Sequence, residues 1–193
     1  MVKRIIVVVV IVALLLFATV GLILPKSFKI SRTVNIQANQ MRVIRCINTL
    51  DRWESWWPWN RNETGHRLQI HAPANIGANM SWGGRPAPGR LVLTQTSIFA
   101  VEYDVHFNAN TRPDKGSFTI RASEQGTELT WRVDGHFESP VIGGYLALLA
   151  DAMHGGMIEW GLNNIKDLAE ADKSEINLYY EDELGHEIEE KVD

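Results

Sequence analysis

Acids and histidines that share a strand face are the first candidates for chemistry in this sequence. Asp104 precedes His106 by two residues, and Asp134 precedes His136 by two, each pair within an alternating segment. Residues i and i+2 of a strand project to the same side, which is here the polar side. We expect a third strand between the two pairs, which would separate them by roughly 10 Å. One metal ion, with bonds to nitrogen of about 2 Å, cannot join groups so far apart. We therefore interpret both pairs as part of a solvated face.

The other reactive side chains do not form a recognisable catalytic set. His66 and His71 are five residues apart on an expected strand and so face opposite sides. Asp151 and His154 are at i, i+3 of an expected helix and could form an acid–base pair, although a local helix pair is the commoner meaning. Cys46 is the only cysteine and lies among core-like positions. We assign no catalytic residue, no metal ligand and no cofactor.

The N-terminal segment is long and apolar enough to cross a membrane. Residues 5–24 carry no charge, and at 1.5 Å per residue they span about 30 Å, the thickness of a bilayer core. A cleaved signal peptide is the alternative, but no small-x-small cleavage site follows. We predict that residues 1–25 form an uncleaved single-pass anchor. Basic residues flank both ends, so the side of the membrane that holds the soluble domain is not determined.

One domain is expected in residues 26–171. Alternation predicts a strand over residues 28–37, and helical spacing predicts a helix from Met41 to Leu50 that starts near Asn39. A second short helix, capped by Asp51, should follow and end at Pro58. Residues 66–137 then alternate with a period of two and are joined by short turns, which predicts about six antiparallel strands. A long helix closes the domain, with large apolar residues at three- and four-residue steps.

The charge of the chain is unevenly distributed. The net charge is −4, yet residues 172–193 alone hold nine acids and two lysines. The rest of the chain is only weakly positive, which argues against a nucleic-acid partner. We expect this acidic tail to lie outside the folded core, although Ile176, Leu178 and Tyr180 alternate and could form a short strand.

Four tryptophans crowd the region after the first helix. Trp53, Trp56, Trp57 and Trp59 could form an aromatic belt against the bilayer, gate a cavity, or pack the short helices on the sheet. Packing is the commonest role of such residues.

Several blocks occur in an order and spacing that resemble a known superfamily. They are VNIQA at 34–38, LDRWESWWPW at 50–59, GANMSW at 77–82, GTELTW at 126–131 and the helix end GLNNIK at 161–166. Together they resemble the START/Bet v1-like (SRPBCC, "polyketide cyclase") superfamily over residues 28–171. Asn39, where members commonly have Pro or Ser, and the acidic tail depart from that pattern.

The resemblance implies an α+β helix-grip fold, in which a curved antiparallel sheet wraps around the long C-terminal helix. It also implies an apolar cavity that binds lipids or other hydrophobic molecules. We therefore expect a membrane-anchored binding module for a hydrophobic small molecule or lipid. A cyclase- or aromatase-type enzyme and an adaptor that recruits a basic protein through its tail are the alternatives. Between the binding module and the enzyme, the enzyme is less favoured, since members of this superfamily often have no known activity.

The expected pocket combines the apolar face of the sheet with one face of the long helix. Tyr103 is the expected polar contact, with its ring in the pocket and its hydroxyl on the ligand. The predicted ligand-binding residues are Trp82, Phe99, Val101, Tyr103, Phe118, Ile120, Trp131, Val133, Leu149, Met153, Met157 and Trp160.

Overall fold

The computed structural model describes residues 1–58, 69–71, 76–83, 88–107, 110 and 112–172 of the 193-residue chain. Seven strands and three α-helices lie in these residues. The helices are α1 (Val2–Ile23), α2 (Gln40–Ile47) and α3 (Gly143–Ala171), with a short 3-10 helix (Leu50–Ser55) after α2. The strands are β1 (Ser27–Ile36), β2 (Gln69–His71), β3 (Asn79–Trp82), β4 (Gly89–Thr96), β5 (Ala100–Phe107), β6 (Asp114–Ser123) and β7 (Gly126–His136).

The strands form one antiparallel sheet in the order β1-β7-β6-β5-β4-β3-β2. Ser27 lies opposite His136 at the end of the sheet nearest α1, which we call the proximal end; Ile36 lies opposite Thr127 at the distal end. The long helix α3 packs on the concave face along β1. The helix-grip α+β class is therefore confirmed. The expectation that β5 and β7 flank a third strand is also confirmed, and that strand is β6.

The short helices begin close to the predicted positions. The side chain of Asn39 accepts a hydrogen bond from the backbone N–H of Arg42 at 3.0 Å, so Asn39 is the N-cap of α2 as expected. α2 ends at Ile47, three residues earlier than predicted. Asp51 lies inside the 3-10 helix rather than capping it, because that helix already begins at Leu50.

The buried face of α3 differs from the predicted one. Leu149, Met153 and Trp160, expected to face the sheet, are exposed. The buried residues of α3 have small and medium side chains, namely Gly143, Gly144, Ala150, Gly155, Ile158, Gly161, Leu162, Ile165 and Ala169. The prediction took the stripe of largest side chains as the core. Small residues occupy the core stripe instead, because the helix axis comes close to the sheet.

A forked ion pair joins α3 to the edge strand β1. Arg32 projects toward the concave side, where its Nε lies 2.6 Å from Glu159 and its terminal nitrogen 2.7 Å from Asp151. Gly155 lies between these two acids on the helix, and the Arg32 guanidinium occupies the space where a side chain at Gly155 would start. Asp151 is therefore engaged by Arg32, whereas the sequence suggested His154 as its partner.

α1 is a helix of 22 residues whose length and composition suffice to cross a membrane. Gly21 is its one buried residue. The sequence features at His66, Trp59, residues 84–87 and residues 173–193 lie outside the described residues. Asp172, the last described residue, pairs with Arg45 at 3.0 Å.

Two glycines of α3 predict opposite responses to the same substitution. Gly156 faces open space, so Gly156→Ala should stabilise the fold by about 1 kcal/mol through helix propensity. At Gly161 a Cβ would lie 2.7 Å from the buried ring of Trp131 and 3.3 Å from Pro58, so Gly161→Ala should destabilise the fold. Thermal unfolding measures both. A rise, or no change, in melting temperature for Gly161→Ala would contradict the close packing of α3 on the sheet.

Candidate ligand-binding site

Aromatic side chains fill the middle of the concave face, and aliphatic side chains such as Ile36, Ile120 and Leu129 fill its distal part. Trp53 and Trp56 are fully buried against the sheet. The ring of Trp56 meets Phe118 and Trp131 edge-on, with ring centres 5.7 Å apart in both cases. Trp57 joins the same cluster. The aromatic-belt interpretation is therefore wrong for these three tryptophans, which pack the short helices onto the sheet.

Tyr103 belongs to this packed cluster. Its hydroxyl accepts a hydrogen bond from the indole Nε1–H of Trp131 at 2.8 Å, and burial raises the pKa of Tyr103 above its usual value. A buried hydroxyl that already serves a protein donor is poorly placed to orient a ligand. The expected role of Tyr103 as the polar ligand contact is therefore not supported by its position.

Three glycines of the sheet each lie beneath an aromatic ring of the neighbouring strand. Gly116 is the register partner of Tyr103, and any Cβ on it would collide with the tyrosine ring. The same holds for Gly135 with Phe28 and for Gly89 with Trp82. In each pair the ring lies over the glycine instead of standing up from the sheet. The floor of the concave face is thereby kept low at these three places.

The proximal end of the concave face is only partly covered. Its side chains are half-buried, whereas the equivalent residues further along the strands are fully buried. The rings of Phe28 and Phe137 are 5.2 Å apart at one side, and those of Trp82 and Phe107 are 6.2 Å apart at the other. We call this region the proximal groove; it is lined by Phe28, Trp82, Val105, Phe107, Val133 and Phe137.

Two titratable side chains lie at the proximal groove. Asp114, on the inward side of β6, accepts a hydrogen bond from the backbone N–H of His136 at 2.9 Å, and burial raises its pKa to about 6. His154 of α3 lies with its ring centre 6.3 Å from that of Phe28, and burial lowers the pKa of His154. An apolar groove with a few polar groups at its edge is the usual composition of a small-molecule site.

The structure divides the predicted ligand residues into three groups by burial. The half-buried group consists of Trp82 and Val133, which line the proximal groove, and Met157 on α3. Inside the packed cluster lie Val101, Tyr103, Phe118, Ile120 and Trp131. Phe99, Leu149, Met153 and Trp160 are exposed and lie outside both the packed cluster and the proximal groove. Phe99 is 59% exposed because it belongs to the turn before β5, where Ser97 accepts hydrogen bonds from the backbone N–H groups of Phe99 and Ala100.

The sequence prediction missed most of the proximal groove. The sequence pattern places Phe28, Val105, Phe107 and Phe137 in alternating segments but does not single them out as site residues. The signal that was available is glycine at inward-facing strand positions, since a glycine inside a strand often marks a close approach of another group. Gly89 and Gly135 mark the places where the groove floor is low.

A curved antiparallel sheet closed on a long C-terminal helix defines the helix-grip class of folds. The model of one such family, "Polyketide cyclase / dehydrase and lipid transport", matches residues 27–170. The chain belongs to this SRPBCC-type family. No curated protein matches the sequence.

Solved structures show the same fold at low sequence identity. A protein of unknown function from Staphylococcus aureus aligns with a TM-score of 0.61 at 11% identity, covering 75% of this chain and 94% of that one. A Chromobacterium violaceum protein aligns at 0.54 and 15% identity, covering 75% and 99%. The Aha1 dimer from Colwellia psychrerythraea aligns at 0.52 and 16%, covering 76% and 98%. At such identities the likeness concerns the fold alone.

The cluster predicts the effect of removing one hydroxyl. Tyr103→Phe keeps the ring but removes the acceptor of the Trp131 indole N–H, in a fully buried setting. We expect a loss of about 1–3 kcal/mol of unfolding free energy, measured by urea denaturation. Unchanged stability together with weaker ligand binding would instead show that the hydroxyl serves a ligand.

Proposed function

We propose that this chain is a membrane-anchored binding protein for a hydrophobic molecule, which it holds in the proximal groove without chemical turnover. The observation that carries the proposal is the contrast along the concave face. The distal part is filled by protein side chains, whereas the proximal part leaves aromatic surface uncovered. Uncovered aromatic surface in a concave site is what a hydrophobic ligand buries on binding.

The low floor of the proximal groove supports a bound molecule rather than a collapsed core. The ring of Phe28 lies over Gly135 and that of Trp82 over Gly89, so neither ring extends across the groove. A mainly apolar ligand would lie on these rings. Its polar end would be near Asp114 or His154, which are half-buried polar side chains of this region.

The contacts of α1 support an anchor that is retained in the mature protein. Gly21 lies against Val141 and Tyr145 at the start of α3, and any side chain at this position would collide with them. Leu24 makes the same kind of contact with Gly144. A signal peptide that is removed has no need of such fitted packing. The family description, which includes lipid transport, is consistent with a hydrophobic ligand.

An enzyme of the cyclase type is the second candidate. Asp114, with a pKa of about 6, and His154, whose pKa burial lowers, are the observation that favours it. A general acid or base needs a pKa near the working pH. The two functions differ in the fate of the ligand, since a binding protein returns it unchanged and an enzyme does not. The adaptor hypothesis depends on residues 173–193, which lie outside the described residues.

Photochemical labelling of the full chain in phosphatidylcholine nanodiscs tests the proposal. Diazirine-bearing fatty acid and sterol analogues are titrated, and labelled peptides are located by mass spectrometry. We expect saturable labelling of peptides that line the proximal groove, competed by unlabelled ligand. The unreacted probe should be recovered chemically unchanged; conversion into a product would favour the cyclase instead.

A matched pair of substitutions distinguishes binding in the proximal groove from non-specific labelling by probe dissolved in the bilayer. Val133→Trp fills the proximal groove and should abolish the saturable labelling. Val92→Trp makes the same change at a half-buried valine on the opposite face of the sheet, and it should leave labelling intact. Both variants are checked by thermal unfolding. Equal labelling of wild type and a folded Val133→Trp variant would contradict the proposed site.

A further inference from the structure

The first turns of α3 are fastened to the C-terminal part of α1. The ring of Tyr145 stacks on that of Phe17, with ring centres 4.5 Å apart and planes within 1° of parallel. Its hydroxyl donates a hydrogen bond to the backbone carbonyl of Phe17 at 2.9 Å. Gly21 and Gly144 allow the two backbones to come close. The soluble domain is therefore held against α1 rather than joined to it by a linker alone.

The contact lies well inside α1. Phe17 is six residues before the helix ends at Ile23, which corresponds to about 9 Å along the helix axis. If α1 spans a bilayer whose core is about 30 Å thick, the ring of Tyr145, which stacks on Phe17, lies below the bilayer surface. At this depth a tyrosine hydroxyl needs a partner within the protein, and the backbone carbonyl of Phe17 supplies it.

The segment around Tyr145 has the composition that this position requires. Residues 139–150 contain no charged side chain. Leu148 is 66% exposed and Leu149 is 56% exposed, and Ile142 is similarly uncovered. Adjacent large apolar side chains that are exposed beside a membrane-spanning helix are typical of a lipid contact. The next charge along the helix, Asp151, pairs with Arg32 of the edge strand β1 and remains largely exposed, so it marks the end of the uncharged segment.

We propose that residues 141–149, which are the first turns of α3 and the two residues before it, are inserted in the same bilayer leaflet as the C-terminal end of α1. The occupant of its exposed apolar surface is lipid. The inference rests on α1 spanning the membrane, as in the proposed function. It adds that Phe28, Phe137 and His154 are held at the bilayer surface, because His154 follows this segment on α3 and stacks near Phe28. The ligand would then be taken directly from the lipid phase.

Site-directed spin labelling of the full chain in phosphatidylcholine vesicles tests this insertion. Cys46→Ser removes the native thiol, and single cysteines are placed by Leu149→Cys, Leu148→Cys, Leu16→Cys and Asn163→Cys. Leu16, in the middle part of α1, is the lipid reference. The exposed Asn163, fourteen residues after Leu149 on the same helix, is the water reference. Accessibility of each label to oxygen, which dissolves in lipid, is compared with accessibility to a water-soluble nickel chelate.

We expect labels at positions 148, 149 and 16 to favour oxygen, with a ratio several times that at position 163. If position 16 favours oxygen while 148 and 149 match 163, the insertion is wrong and the anchor stands. If position 16 also matches 163, both are wrong. Protection of 148 and 149 from both reagents would mean that protein, such as a second copy of the chain, covers this surface, which likewise overturns the inference.

Discussion

The pairing of aromatic rings with glycines across neighbouring strands is the constraint on which the groove depends. Glycine inside a strand has no side chain to pack and is conformationally costly. At Gly89, Gly116 and Gly135 the ring of the register partner occupies the space above the backbone. The ring covers the glycine backbone, which has no side chain of its own to do so. The missing Cβ in turn allows the ring to lie close against the sheet. Tyr103 uses this arrangement to reach Trp131, while the other two rings form the floor of the proximal groove.

The long helix α3 makes three kinds of contact. Its small residues, such as Gly161, let it pack closely on the sheet. Asp151 and Glu159 hold Arg32 and so tie the helix to the edge strand. The start of the helix packs against α1 through Tyr145 and Gly144. Because one rigid element makes all three contacts, the position of α1 and the position of the groove are linked.

Much of the fold could be predicted from the sequence, because alternation in an antiparallel sheet directly reports which side chains point inward. The inward positions of Val101, Tyr103 and Trp131 followed from it. The face of α3 could not be predicted by the same reasoning, since large apolar residues occupy more than one side of this helix. Leu148 and Leu149 are apolar yet exposed, a pattern that is explained if part of their surroundings is lipid rather than protein. The groove itself depends on which ring meets which glycine, and this requires the strand register.

Native mass spectrometry of the full chain, extracted gently from the membrane in which it was made, tests the binding claim most directly. We expect a 1:1 adduct with the mass of a lipid or another hydrophobic molecule. The adduct should be released unchanged on denaturation and should be absent from the folded Val133→Trp variant but present in Val92→Trp. A wild-type chain found only at its own mass, in detergents that preserve its fold, would contradict the proposal that the proximal groove holds a ligand.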